Sequence, residues 1–378
     1  MEQGNNPVIA FNAHLFSGTA SYRSAGISVY IMQLLRNLGP YLHDMELHVL
    51  AGDGRLPEDL TMPVHYARRS TASPWRRIAW EQTVLPGVLR RLHARLLHVP
   101  AFVGPLFTSC PQVVTVHDLS FLRHPEFFRP ANRLYLRTMT RLTCKRARLV
   151  LAVSHFTAKE VRQWLHLPDE RVIPVPNGID ARFRPLPSEE VAAFVEQKGL
   201  PQRFLLFMGT LEPRKNLVTL IRAFARLQDA SLYLVLVGAR GWYYEEIFKE
   251  IERLGLEGRV LCPGFVPASE QVLWYNAARV FAYVSFYEGF GLPALEAMAC
   301  GTPTVASATT SLPEVCGEGA LLVPPQDEVA LAEALHRLAT DETLRHDLRA
   351  RGIAQAARFP WSETARKTAA AYRQALHE

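Results

Sequence analysis

The 378-residue chain has little that would suit a membrane or an oxidising compartment. It contains no run of roughly 18 or more apolar residues, so no bilayer-spanning helix is expected. The segment MEQGNNPVIAF lacks a basic stretch followed by a long apolar core, so a secretory signal is not evident. The five cysteines (Cys110, Cys144, Cys262, Cys300, Cys316) are scattered, odd in number and without CxxC spacing. A reduced, cytoplasmic chain without disulfides or zinc is the economical expectation. No repeat of fixed period and no low-complexity tract appears. No GxGxxG follows the first apolar run, which argues against a dinucleotide-dependent dehydrogenase. Lysine is scarce: 42 Lys and Arg include only six lysines.

The formal net charge of +6 is unevenly placed. Residues 1–180 hold 21 Lys and Arg against 13 Asp and Glu, a net +8, and the remainder is −2. The basic half could face an anionic membrane, an anionic acceptor or nucleic acid. Nucleic acid is disfavoured, because no stacking platform or binding motif accompanies the charge. Arg76, Arg77, Arg90, Arg91 and Arg95 fall in a stretch that also carries Ile78, Trp80, Leu85, Val88, Leu89 and Leu92. This reads as one helix over 77–95. Peripheral contact with the inner face of a membrane is its functional reading, and a core-packing helix with a solvated basic face is the plainer one.

Length favours two domains of similar size. Short apolar runs at 7–12, 46–51, 96–99, 112–116, 149–153 and 171–175 alternate with amphipathic stretches. That rhythm predicts parallel strands covered by helices on both faces. Residues 180–199, with Pro185 and Pro187, interrupt it and read as a linker. The alternation restarts at Phe204 and runs to a final helix from about Ser362. The expected fold class is α/β: two doubly wound, Rossmann-like parallel-sheet domains with a ligand crevice between them at the carboxyl ends of the strands. The expected boundaries are 1–182, 183–359 and a terminal helix, 360–378.

The segment from Glu288 to Glu296 follows a strand and opens a helix. Gly289 and Gly291 permit close backbone approach, and Phe290 lies between them. The helix start near Leu292 offers amide donors and positive dipole to an anion. Pro293 suits a first turn, and Glu296 lies one turn in, where its carboxylate could accept hydrogen bonds from vicinal hydroxyls. Either acid alone would more simply complement a helix dipole; the joint arrangement argues for a ligand. A second motif, Gly209-Thr-Leu-Glu-Pro-Arg-Lys-Asn216, sets Arg214 and Lys215 beside another helix start, suited to a diphosphate. His117 ends a buried strand and could bind a hydroxyl or phosphate or simply satisfy loop carbonyls. Gly26 precedes the first helix in a loop.

Tyr287–Ser307, YEGFGLPALEAMACGTPTVAS, resembles the E-x7-E signature of the family 4 retaining glycosyltransferases, which have the GT-B fold. The resemblance implies that Glu288 lies near the donor sugar and that Glu296 binds the nucleotide ribose. It makes 209–216 the donor-phosphate region, although here the two cations are neighbours. It places Val266, in Gly264-Phe-Val266, against the base, and Gly26 near the phosphates where the family often has a glycine pair. VTVHDLSFLRHPEFF resembles a branch with many bacterial mannosyltransferases of polysaccharide (O-antigen type) assembly. That makes His117 functional and GDP-mannose the favoured donor. A glycan or lipid-linked acceptor on the first domain, retention of configuration, and the final helix crossing back are further implications. No Asp-x-Asp occurs, so no metal and no cofactor is expected. The alternatives are a UDP-sugar-dependent transferase, a GT-B sugar-nucleotide epimerase and an inactive binding homologue.

Overall fold

A computed structural model describes residues 6–16 and 25–377. The chain divides into two compact units, residues 1–178 with 361–378 and residues 179–360.

Among the described residues the first unit is built on seven strands: β1 (Val8–Asn12), β2 (Glu46–Ala51), β3 (Val64–Tyr66), β4 (Leu96–Val99), β5 (Gln112–Val116), β6 (Leu149–Ala152) and β7 (Val172–Pro174). Their order is β3-β2-β1-β4-β5-β6-β7, and every neighbouring pair is parallel. Side chains alternate along each strand, so each face needs its own apolar cover. On one face Ile9, Phe11, Leu47, Val49, Leu96 and Leu149 share a core with Tyr30, Leu34, Trp361 and Tyr372. On the other, Ala10, Leu97, Val114 and Val150 pack with Leu85, Leu89 and Val161.

The second unit has six strands: β8 (Phe204–Met208), β9 (Tyr233–Val237), β10 (Val260–Gly264), β11 (Val280–Tyr283), β12 (Thr304–Ser307) and β13 (Ala320–Val323). Their order is β10-β9-β8-β11-β12-β13, again all parallel. In each sheet the order reverses direction once, between β1 and β4 and between β8 and β11. Such a switch leaves a crevice at the carboxyl ends of the two diverging strands, where a ligand can enter.

Several expectations are corrected. The stretch read as one helix over 77–95 is two, Pro74–Thr83 and Leu85–Arg91. Pro86 has no N–H to continue the first helix and is pre-organised for the first turn of the second. Residues 180–199 are not a bare linker. They carry the helix Ser188–Lys198, whose Phe194 ring meets Trp274 edge-on at 5.4 Å. Gly26 lies not in a loop but in the first turn of the helix Ala25–Leu38. Strand β3 went unread because it is short, and its residues are only partly covered. The terminal helix Trp361–His377 packs in the first unit. Trp361, Ala365, Ala369 and Tyr372 recur at helical spacing on its buried face. Thr364 Oγ1 donates to Pro176 O at 2.7 Å, and Arg373 pairs with both oxygens of Asp44 at 2.7 and 2.6 Å.

Candidate functional site

In the second unit the two motifs occupy the loops that leave β8 and β11, at the switch point. Gly209 follows β8, and its N–H donates to Val237 O at 2.9 Å. A short 3-10 turn, Pro213–Lys215, then carries the two cations. Asn216 adopts a left-handed conformation at φ 59° before the helix Leu217–Ala225. Its side-chain amide donates to Val284 O at 3.0 Å and Pro325 O at 2.6 Å. Phe286 N–H donates to Arg214 O at 2.9 Å. These bonds tie the loop after β8 to the one after β11, so neither motif is placed independently.

The tie brings Arg214, Lys215 and Glu288 into contact. Lys215 Nζ lies 2.7 Å from Glu288 Oε1 and donates to Tyr283 Oη at 2.8 Å. Arg214 Nη1 donates to Glu288 Oε2 at 3.2 Å and to Tyr287 O at 2.9 Å. Its Nε and Nη2 both reach Glu212 Oε1, at 3.1 and 2.8 Å. Lys215, Glu288 and Glu212 are all buried. Burial pushes the Glu288 carboxyl up, but Lys215 and Arg214 outweigh it and hold the group at about 2. Burial and the adjacent Arg214 push the Lys215 ammonium down, opposed by Glu288 and Glu212. Two cations and two acids thus form a closed array. An incoming anion must share the cations with Glu288 and Glu212 instead of finding a bare positive pocket.

The chain then runs through buried Gly289 and Phe290 to Gly291, the N-cap of the helix Leu292–Ala299. Gly291 sits at φ 101°, and a Cβ there would lie 2.5 Å from Leu312 Cδ2, so only glycine fits. Ser311 Oγ donates to the carbonyls of Glu288 and Phe290, both at 2.9 Å. Glu288 N–H donates to Thr310 Oγ1 at 3.2 Å. Leu292 begins the helix, and its first-turn amides carry the positive end of the dipole. One turn on, Glu296 Oε2 accepts from Tyr275 Oη at 2.8 Å. Burial raises its carboxyl to about 7, opposed by Tyr275 and Arg182. Val266, two residues past the end of β10, is buried.

Gly26 and His117 belong to the first unit. His117 follows β5. Its Nε2 lies 2.7 Å from Pro100 O. A carbonyl only accepts, so Nε2 carries the proton and Nδ1 presents a lone pair. Burial pushes the imidazole pKa down, keeping the ring neutral, while the Pro100 carbonyl and Asp118 oppose. Tyr30 and Phe102 meet the ring edge-on, with centroids at 4.8 and 5.9 Å. Beneath it runs a buried chain that the sequence reading missed. Tyr372 Oη lies 2.6 Å from His98 Nδ1, His98 Nε2 lies 2.9 Å from Thr115 Oγ1, and Thr115 Oγ1 lies 3.0 Å from Tyr30 Oη. At the end of β1, buried Glu81 accepts from Asn12 Nδ2 at 3.2 Å, and burial raises its carboxyl to about 7. His14 stacks on Trp80 at 3.8 Å beside it. The one mark of Glu81 in the sequence is that it is the single acid between Asp59 and Asp118. Tyr275 and Glu212 carried no signal, because their partners are distant in the chain or lie across a turn.

Among the described residues, no helix is long and apolar enough to cross a membrane, and no three or more His, Cys, Asp and Glu side chains are grouped to hold a metal ion.

Two Rossmann-like units, the second with acids and cations gathered at its switch point, place the protein in the GT-B class of glycosyltransferases. The structure of sucrose-phosphate synthase from Thermosynechococcus elongatus superposes with a TM-score of 0.79 at 22% identity, covering 97% of this chain and 98% of that one. The family described as glycosyl transferases group 1 matches residues 188–355, and glycosyltransferase family 4 matches residues 24–183. The O-antigen chain mannosyltransferase B of Escherichia coli is 32% identical over 93% of this chain and 97% of that protein. The serotype-specific mannosyltransferase WbdA of Escherichia coli is 30% identical over 71% of this chain, which spans only 33% of WbdA. The chain belongs to glycosyltransferase family 4, and it is a glycosyltransferase.

Proposed function

We propose that the protein transfers mannose from GDP-mannose to a saccharide or lipid-linked glycan acceptor, with retention of anomeric configuration and without a metal. The observation that carries the reading is the joint placement of Arg214, Lys215 and Glu288 on the loops leaving β8 and β11, with Glu296 one turn into the helix that follows. The similar proteins named mannosyltransferases support the choice of sugar.

In this reading the nucleotide diphosphate takes a hydrogen bond from Leu292 N–H at the helix start, Pro293 having no N–H and Ala294 N–H donating to Gly291 O, and shares Arg214 and Lys215 with their acids. As the sugar–phosphate bond breaks, negative charge grows on the leaving diphosphate, and preorganised cations stabilise that charge more than the ground state. Glu288 holds both cations in place and faces the donor sugar. Glu296 accepts from the ribose hydroxyls; binding favours its ionised form, because a charged acceptor bonds more strongly. His117 accepts a hydrogen bond at Nδ1 from a hydroxyl of the transferred sugar. The basic first unit, with Arg76, Arg77, Arg90 and Arg91 exposed or partly exposed on two successive helices, suits an acceptor held at an anionic membrane surface.

The test is a thermal-shift and transfer assay with GDP-mannose, GDP, UDP-glucose and UDP. Stabilisation by GDP and GDP-mannose, with mannose incorporated into a glycan acceptor, is expected. Stabilisation by UDP and not GDP overturns the donor. Conversion of the donor alone into an epimer overturns the transfer reading.

A further inference from the structure

The second unit holds another charged cavity, at the opposite, amino ends of its strands. Its volume is about 310 Å³, and its lining includes Arg279 just before β11, Thr302 just before β12, and Arg345 and Arg349. Glu342, Arg345, His346 and Arg349 also line it. They lie at i, i+3, i+4 and i+7 on the helix Glu342–Ala356, so one face of that helix is turned to the cavity. Arg345 is buried at the base of the cavity, while Glu342, His346 and Arg349 are exposed along its rim.

The arginines are not used up by the fold. Each guanidinium has five N–H groups. Among the described residues Arg279 donates only Nε, to Ala339 O at 2.7 Å. Arg349 donates only Nη1, to Gly301 O at 3.1 Å. Gly301 allows this approach, since a Cβ there would lie 2.8 Å from that same Nη1. Arg345, 8% exposed, donates to Leu338 O at 3.3 Å and pairs with Glu342. Among the described residues Glu342 is the one acid in the lining, against three arginines. The cavity therefore carries a net charge near +2, and its open donors are planar forks.

We propose that this cavity is a binding site for a phosphate dianion, either inorganic phosphate or the phosphate of a small monoester. Open guanidinium forks match phosphate oxygens two at a time, and the charge matches a dianion. Burial and neighbouring arginines push the pKa values of Arg279 and Arg345 down, Arg203 acting on both, as expected of cations lacking sufficient counter-charge. The site is separate from the donor motifs but adjoins their supports. Asn276 and Ala277, in its lining, end the helix Gln271–Ala277, whose Tyr275 holds Glu296. Thr302 Oγ1 donates to Tyr275 O at 2.7 Å.

The test is calorimetric titration of the full chain with inorganic phosphate and, separately, with a hexose 6-phosphate, against chloride at equal ionic strength. Phosphate binding beyond the chloride control is expected, and tighter binding of one probe distinguishes the two sources. Arg349→Glu should weaken it by at least about tenfold, the loss of a charge-assisted fork, and leave the melting temperature in phosphate-free buffer near that of the parent. Should Arg349→Glu not fold, Arg349→Lys, which keeps the charge and loses the fork, should bind with intermediate affinity. No binding beyond the chloride control overturns the proposal. So does unchanged affinity in the Arg349 variant that folds, since the phosphate then sits elsewhere, as on Arg214 and Lys215.

Discussion

Replacing Glu296 by glutamine should stabilise the empty protein and weaken its hold on the nucleotide. Burial lifts the Glu296 carboxyl from 4.5 to about 7. Between those pH values the folded chain binds the proton more than the unfolded chain does, so stability falls as pH rises through the window and stays reduced above it. At roughly 1.4 kcal/mol per pH unit the full cost is about 3 kcal/mol. Solvent at the partly exposed side chain lowers this to about 2 kcal/mol. Glutamine keeps an acceptor for Tyr275 Oη, now at 2.8 Å from the carboxylate, and cannot ionise. For a unit the size of residues 179–360, about 2 kcal/mol corresponds to a rise in Tm of about 4–8 °C. The rise should be present at pH 8 and absent at pH 5, where the acid is already neutral. The ribose loses its charged acceptor, and Glu296→Ala, which removes the acceptor altogether, should lose roughly 1.5–3 kcal/mol of donor affinity. Scanning calorimetry at both pH values and nucleotide titration at pH 8 make the measurement. An equal Tm change at both pH values refutes the titration argument, and unchanged nucleotide affinity removes Glu296 from the site.

Glu288→Ala should destabilise the second unit by about 3–5 kcal/mol in denaturant unfolding, because Lys215 is left buried without its carboxylate. With the parent carboxyl held at about 2 against 4.5 unfolded, its contribution should be complete above pH 4.5 and disappear as the pH falls towards 2; a flat acid limb contradicts this. Gly291→Ala should lower both Tm and donor affinity, since the added Cβ meets Leu312 at φ 101°; a neutral result rejects the strained N-cap. His117→Ala should reduce turnover far more than nucleotide affinity, because the proposed nucleotide contacts lie in the other unit; near-normal kcat in a folded variant rejects its role. Transfer should persist in EDTA; complete loss restored by manganese or magnesium overturns the metal-free reading.

Much of this molecule is legible in one dimension. β5, β6 and β8 are buried on both faces, so they appear as short apolar runs whatever surrounds them. Gly291, Pro293 and Glu296 mark a helix start because glycine conformation, proline geometry and helical spacing are local properties. What fails locally is what depends on a neighbour. The break at Pro86 was masked by a continuous basic, apolar pattern, and β3 has too few residues to show a period.

The sequence by itself determined the class: two successive strand–helix alternations and a glycine-rich turn at the head of a helix, each a matter of period and backbone chemistry. Only the tertiary structure decided how the charges are used. Glu288 is 73 residues from Lys215, and it becomes that lysine's partner because β8 and β11 are adjacent in the sheet. Tyr275 reaches Glu296 across two helices, and Tyr372 reaches His98 from the far end of the chain. The electrostatic state of a buried acid is set by which donors the fold places within about 3 Å of it, and no linear pattern carries that distance.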